Sequence, residues 1–255
     1  HEKFETLAKQ QSYGKYYLNG KRGKILDSTG RELAHDIDIY KVIIDPKRFY
    51  KLKNRNKIIK ELKAVKPFSI RNFEVKLKDN YLRNKRYIKI INKIDEGQKN
   101  KIDRILSKYK IRSNEIYFER STERKYFSYE ELGPIIGFMG AFSREEKRRV
   151  GAYGIERYYD KYLKRNKIEK NGYYTNFRNL LLPSNKKIND FLEKDGNNVQ
   201  LTIDYYIQYI LDDEIQKQFK KVTPKSAVGI IMDPSNGKIL ALSSYPRAKK
   251  YSIFK

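Results

Sequence analysis

The sequence predicts a strand-rich α+β fold, and three observations carry that prediction. Runs rich in β-branched and aromatic residues recur at Ile37–Ile44, Tyr87–Ile91 and Glu115–Arg120. Elsewhere apolar residues fall three and four apart, as in Ile58, Ile59, Leu62 and Val65, which is helical spacing. Near the end, two β-prone segments, 226–232 and 238–244, flank Asp233-Pro234-Ser235-Asn236-Gly237, a turn-forming stretch whose Asn-Gly pair supplies positive-φ residues for a hairpin. Strands and helices mixed in this way belong to the α+β class.

In chain order, residues 2–18 are polar with scattered apolar positions and read as the tail of a helix. Arg22 to Ala34 reads as strand, tight turn and strand, with Asp27 and Gly30 at the ends of a four-residue turn of type I chemistry. The run ending at Ile44 is stopped by Pro46. A helix is expected within 47–65, a strand at 87–91, a helix around Ile102, Leu106 and Tyr109, and a strand at 115–120. Ser128 followed by Glu131 has the spacing of a capping box opening a short helix. Thr202 or Asp204 can cap a long helix whose apolar face is Ile207, Ile210, Leu211, Ile215 and Phe219, with Gln208, Asp212, Gln216 and Lys220 opposite. The polar stretch Asp195-Gly196-Asn197-Asn198 marks a boundary, dividing the chain into 1–195 and 196–255.

The formal net charge is +26, from 57 Lys and Arg against 31 Asp and Glu. Two readings remain open. One is attraction to a polyanion such as nucleic acid, acidic lipid or an anionic wall polymer. The other is coding bias, since Lys, Asn, Ile and the 22 Tyr share AT-rich codons and acids are interleaved with the bases. With no Cys there are no disulfides or thiolate metal sites, and two His (His1 and His35) leave little room for His-centred triads or metal centres, so neither cofactor nor metal is expected. No apolar run reaches the length of a membrane span. The first residue is His rather than Met, so a trimmed chain is expected, with any N-terminal anchor preceding it.

Three ordered blocks resemble the class B penicillin-binding proteins, the monofunctional cell-wall transpeptidases. The first is Arg22-Gly23-x-Ile25-x-Asp27-x-x-Gly30-x-x-Leu33-Ala34, with Ser28 where the family usually has Arg. The second runs from Arg124 and Tyr126 through Leu132 and Gly137-Phe138-Met139-Gly140 into Gly151-x-x-Gly154-Ile155-Glu156-x-x-Tyr159-Asp160-x-x-Leu163, with Phe127 where Pro is common. The third runs from Leu201-Thr202-Ile203-Asp204 to Pro246. The resemblance implies an elongated, strand-rich N-terminal pedestal (a dimerisation-type domain) over 1–195, then the first helix and hairpin of a transpeptidase domain over 196–255. In the pedestal blocks the Gly residues are expected to serve turns and close packing, and Arg and Glu to form buried ion pairs.

The catalytic candidates are Ser252 and Lys255, which match the family's S-x-x-K. One helical turn would set the Lys amine beside the Ser hydroxyl, to take its proton as it attacks a D-Ala–D-Ala carbonyl; β-lactams would acylate the same Ser. Lys250-Tyr251 stands where the family has Pro-Gly, and the interval from Pro246 to Ser252 is several times shorter than usual. No S-x-N or Lys-Thr/Ser-Gly follows, so this chain alone is expected to be inactive. The resemblance further implies a membrane-anchored protein facing the periplasm or cell exterior. Its expected partners are peptidoglycan stem peptides, a polytopic glycosyltransferase and the division or elongation complex. A catalytically inactive interaction module is the alternative; nucleic acid is not an expected partner, since no nucleic-acid-binding motif accompanies the charge.

Overall fold

The computed structural model describes residues 13–19, 21–143, 145, 148–164, 167–174, 180–181 and 195–247; for 13–19, 148, 167–174 and 180–181 it describes the backbone alone. The chain divides into an inserted unit, residues 37–123, and a discontinuous unit formed by 1–36 and 124–255.

The discontinuous unit begins with β1 (Tyr13–Asn19), where the sequence reading expected helix. Tyr-rich backbone favours extended structure, and the strand's partner lies some 150 residues away, beyond the reach of local pattern. β2 (Ile25–Leu26) and the start of β3 (Glu32–Ile44) follow as predicted, antiparallel and joined by the Asp27–Gly30 turn. Gly30 N–H closes that turn on Asp27 O at 3.1 Å, while Asp27 Oδ1 accepts from Thr29 N, Thr29 Oγ1 and Arg31 N.

In the inserted unit β3 ends at Ile44, and Pro46 opens α1 (Pro46–Phe49) with Asp45 as its N-cap. The helix expected over 47–65 is two helices, because the apolar spacing starts only at Ile58, within α2 (Arg55–Val65). α3 (Phe73–Leu82) was not foreseen. It buries only Phe73 and Leu77 and leaves Val75 and Leu82 exposed, so its apolar periodicity is weak. β4 (Ile88–Ile94), α4 (Glu96–Lys108) and β5 (Ile116–Tyr126) match the expected strand, helix and strand. α4 opens on a capping box between Asp95 and Gln98. β4 runs antiparallel to β3, with Val42 opposite Ile91 and Ile44 opposite Ile88, and β5 also pairs with β3. The helices cover this sheet around Phe49, Ile58, Leu62, Leu77, Ile90 and Ile102.

After β5 the chain re-enters the discontinuous unit through α5 (Tyr129–Ile136), the hairpin of β6 (Met139–Ser143) and β7 (Arg148–Gly151), and the short helices α6 (Gly154–Tyr158) and α7 (Asp160–Leu163). β8 (Lys167–Tyr174) pairs antiparallel with β1, from Tyr13 opposite Tyr173 to Asn19 opposite Lys167, and β9 (Leu180–Leu181) lies on its other side. β10 (Val199–Gln200) then pairs in parallel with β2. Leu201 N–H donates to Leu26 O and Ser28 N–H to Ile203 O, so the late segment closes over the early turn. Ile25, Leu33, Leu132, Ile136, Leu163 and Ile203 form the small apolar core beneath.

The capping box expected at Ser128 does not form. Ser128 sits at the N-cap position of α5 but in the left-handed region (φ 43°, ψ 51°), which turns its hydroxyl away from the helix and 3.1 Å from Tyr205 Oη. The long helix, α8 (Tyr205–Val222), is capped by Asp204, whose Oδ1 accepts from Tyr206 N and Ile207 N. The hairpin of β11 (Ala227–Met232) and β12 (Ile239–Tyr245) follows as predicted. In its turn Gly237 takes positive φ (72°), while Asn236 instead bonds Asp233 through its amide and receives Lys238 N–H. The architecture is the strand-rich α+β class read from the sequence.

Candidate functional site

Two polar clusters lie among the described residues of the discontinuous unit, and in the hydroxyl–carboxylate pair of the second, Ser243 with Asp212, the carboxylate is also held by Arg247. The first joins the two early motif blocks. Arg22 Nε is 2.7 Å from Glu156 Oε2, its Nη1 is 2.8 Å from Asp160 Oδ1, and its Nη2 donates to the backbone oxygen of Glu156. Arg124 Nε lies 2.7 Å from the other oxygen, Glu156 Oε1, and Arg124 Nη1 is 3.3 Å from Asp36 Oδ1. Asp36 Oδ2 in turn accepts from Arg22 N–H. The Glu156 side chain is wholly buried, and those of Arg22, Arg124 and Asp36 are nearly so. One carboxylate thus bridges two guanidiniums from segments about a hundred residues apart, each by a charge-assisted bond.

Glycine makes this geometry attainable. A Cβ on Gly151 would stand 2.0 Å from Glu156 O, so the β7 end can approach α6 only as glycine. Gly137 ends α5 with φ +78°, and a side chain there would meet Tyr153 O at 1.9 Å. Gly151 N–H donates to Asp160 Oδ1, the same oxygen that Arg22 holds. Tyr126 lies against the cluster with its hydroxyl accepting from Met139 N–H. Burial, then the Glu156 charge, pushes that phenol well above its usual range. The expected buried Arg–Glu pairs and close-packing glycines are therefore present. What this arrangement does chemically is hold: burying this charge network, in which Arg124 Nη2 alone goes without a hydrogen-bond partner, fixes one packing, because breaking any member strands the others.

The second cluster corrects the expected facing of α8. Gln208 and Asp212, placed by the sequence reading on the polar side, are buried, whereas Ile210, placed on the apolar face, is exposed. Gln208 Nε2 donates to Leu242 O and its Oε1 accepts from Leu242 N–H, both at 2.9 Å, so the side-chain amide occupies the place of a neighbouring strand on the outer edge of β12. Asp212 Oδ1 accepts from Ser243 Oγ at 2.6 Å, and Oδ2 is paired with Arg247. Thr202 Oγ1 and Asp204 N–H bind the carbonyls of Ile239 and Leu240 further along that edge. Asp204, Gln208 and Asp212 recur every four residues, a polar stripe on one helix face that a hydrophobic count reads as solvent-facing. A cleft of about 210 Å³ opens beside Asp212 and Arg247, bounded by Glu130 and Pro134 of α5.

Ser252 and Lys255 lie outside the described residues. Among the described residues there is no group of His, Cys, Asp and Glu able to hold a metal ion, and no helix long and apolar enough to cross a membrane.

Residues 17–201 match the penicillin-binding protein dimerisation domain family. The chain belongs to that family. Both halves of the buried Arg–Glu cluster fall inside the matched range, while α8 and the final hairpin follow it. Among curated relatives, the chain is similar to stage V sporulation protein D of Bacillus subtilis (28% identity, covering 96% of this chain and 35% of that protein). It is also similar to a probable peptidoglycan D,D-transpeptidase, FtsI, of Caulobacter vibrioides (24% identity, 90% of this chain, 31% of that protein). The chain therefore spans about a third of the length of these relatives. Its fold resembles penicillin-binding protein 2 of Helicobacter pylori, solved in complex with MreC (TM-score 0.61, 23% identity, 92% of this chain and 43% of that one). It also resembles penicillin-binding protein 2X of Streptococcus thermophilus (TM-score 0.67, 20% identity, 92% and 36%).

Proposed function

We propose that this chain is the pedestal and the first transpeptidase elements of a class B penicillin-binding protein that cross-links peptidoglycan stem peptides outside the cytoplasmic membrane. The observation that carries this reading is the family match over 17–201, continued by a helix and hairpin built to seed a larger sheet. Val228, Ile230 and Met232 leave one face of β11 apolar and exposed, while side chains and backbone from 202–208 occupy the outer edge of β12. That leaves the β11 edge and one apolar face for further strands and helices, as a transpeptidase domain beginning near residue 196 would supply.

In this reading residues 1–195 act as scaffold, holding the catalytic domain away from the membrane to which a preceding helix anchors it. Docking to a polytopic glycosyltransferase and to division or elongation proteins, a MreC-like protein among them, belongs to the same scaffold. Ser252 serves as nucleophile and Lys255 as its base once the rest of the domain encloses them. Labelled penicillin tests this directly. The full-length protein should be acylated and its Ser252→Ala variant should not, while residues 1–255 alone should remain unlabelled. Retained labelling of the Ser252→Ala protein would transfer the nucleophile to another residue, and stable labelling of the 255-residue chain would end the view that it is inactive alone.

A further inference from the structure

The basic charge of this chain is not evenly spread. Residues 37–123 carry 25 Lys and Arg against 11 Asp and Glu, whereas the remaining 168 residues carry 32 against 20. The inserted unit thus holds more than half of the net charge in about a third of the length, a concentration that codon bias acting on the whole gene would not produce. Within that unit, α2 and α4 lie side by side, joined where Glu61 accepts from Lys108 Nζ and Tyr109 Oη, each at 2.7 Å. Every carboxylate on these two helices is engaged by a cation of the same pair: Glu61 by Lys108, Asp103 by Lys99 at 2.9 Å, and Glu96 by Lys99 at 4.0 Å. Lys57 and Lys60 on α2, and Lys101 and Arg104 on α4, are exposed and have no carboxylate partner among the described residues.

From this we infer that the outer face of α2 and α4 is a docking surface for a linear phosphate-bearing polymer that carries neither bases nor acyl chains. Each of the two pairs is spaced three residues apart, about 5 Å along its helix, and packed helix axes lie about 8–10 Å apart, so the face offers cations at the scale of a phosphate repeat. The exposed residues that flank them on the two helices include Asn56, Ala64, Asn100 and Ser107, with no exposed large apolar side chain to enter an acyl layer. Nor does it present an exposed aromatic ring on which bases would stack, Tyr109 being half-buried beneath Lys108. Charge without insertion or stacking fits a solvated polyanion better than a bilayer or a nucleic acid.

The probe is long-chain inorganic polyphosphate, titrated by fluorescence anisotropy against the whole 255-residue chain at about 50 to 200 mM salt. Affinity should fall with salt at a log–log slope of about −3, as expected for about four phosphate contacts on a flexible strand. Replacing the four cations together (Lys57→Gln, Lys60→Gln, Lys101→Gln, Arg104→Gln) should weaken binding on the order of a hundredfold and flatten the slope. A matched control (Lys220→Gln, Lys221→Gln, Lys225→Gln, Lys238→Gln) should change it by less than about threefold, and thermal melts should show both variants folded. Equal losses in the two variants would overturn the inference, because the attraction would then belong to the net charge. Preferential binding to phosphatidylglycerol vesicles or to a single-stranded oligonucleotide over polyphosphate would overturn it as well.

Discussion

Of the seven polar residues buried as a whole among the described residues, six lie in the discontinuous unit (Arg22, Asp27, Glu156, Gln208, Asp212 and Ser243) and only Asp45 lies in the inserted one. The inserted unit has instead fifteen buried apolar residues in one cluster, nine of them isoleucine. Its interior tolerates any packing that keeps volume and shape, since apolar contacts are non-directional. The discontinuous unit pairs a core of seven small-to-medium apolar residues with directional bonds whose partners must all be present. Residue patterns that survive divergence should therefore be dense in the second and sparse in the first. The motif blocks obey this: all three fall in the discontinuous unit, and none between 37 and 123.

The largest effect that tests this contrast comes from Glu156. Glu156→Ala strands Arg22 and Arg124 without their shared carboxylate, and removing one member of a buried ion network costs about 3–5 kcal/mol. Urea unfolding should register that loss. Amide exchange should rise across Arg22–Ala34 and 148–163 while the core strands β3 and β4 of the inserted unit stay protected. Uniform deprotection of both units would remove the contrast. Its counterpart is Leu62→Ala in the inserted core, where a cavity costs about 2–5 kcal/mol, against less than about 1.5 kcal/mol for Leu62→Met. No conservative replacement should rescue Glu156 in the same way: Glu156→Gln keeps the shape but leaves two guanidiniums facing a neutral amide.

A smaller and more local effect follows from Gln208. Gln208→Leu keeps much of the volume but leaves Leu242 N–H and C=O without partners, at a cost of about 2 kcal/mol. The loss should appear as faster exchange of the Leu242 amide in β12, with the inserted unit unaffected. An unchanged Leu242 amide would mean that the strand edge finds another partner and that the amide bridge is dispensable.

How much of this was legible depends on the range of the interactions. The hairpin at 227–245 and the turn at Asp27–Gly30 were readable because their determinants sit within five residues. So was α2, once apolar spacing begins at Ile58. The strand at Tyr13–Asn19 was not, since its register is set by residues 167–173. The Ser128 capping box failed because Tyr205, 77 residues on, takes the hydroxyl. Arg22, Arg124 and Glu156 were found as motif members with the right role, but Asp36 was missed. Its only sign was an acid among strand residues, and its partner arrives from the far side of the inserted unit. Gln208 and Asp212 were placed on the wrong face because a hydrophobicity pattern assigns polar residues to solvent, and a helix that bonds a strand edge inverts that rule.

The smallest predicted effect separates the units by pH. Burial works to raise the Asp27 carboxyl, yet the Thr29 hydroxyl and the N–H groups of Arg31 and Thr29 outweigh it and hold the group below its ordinary value of 3.8. A carboxyl that binds its proton less tightly when folded contributes stability in full above that ordinary value and loses it as pH falls through the lowered one. Tyr40 of the inserted unit shows the opposite sign. Its bond to Glu96, then burial, push the phenol up to about 12, so its contribution is complete below its ordinary value of 10 and fades as pH rises toward 12. Tyr126 is raised as well, so the alkaline loss is shared between the units, whereas the Asp27 contribution belongs to the turn that β10 and Ile203 close over. Stability measured between about pH 5 and pH 2 should therefore decline less in Asp27→Asn than in the parent, and Tyr40→Phe should flatten only part of the decline between pH 10 and pH 12. An acid limb unchanged by Asp27→Asn would mean that the turn contributes nothing to the acid response, and would remove this distinction between the units.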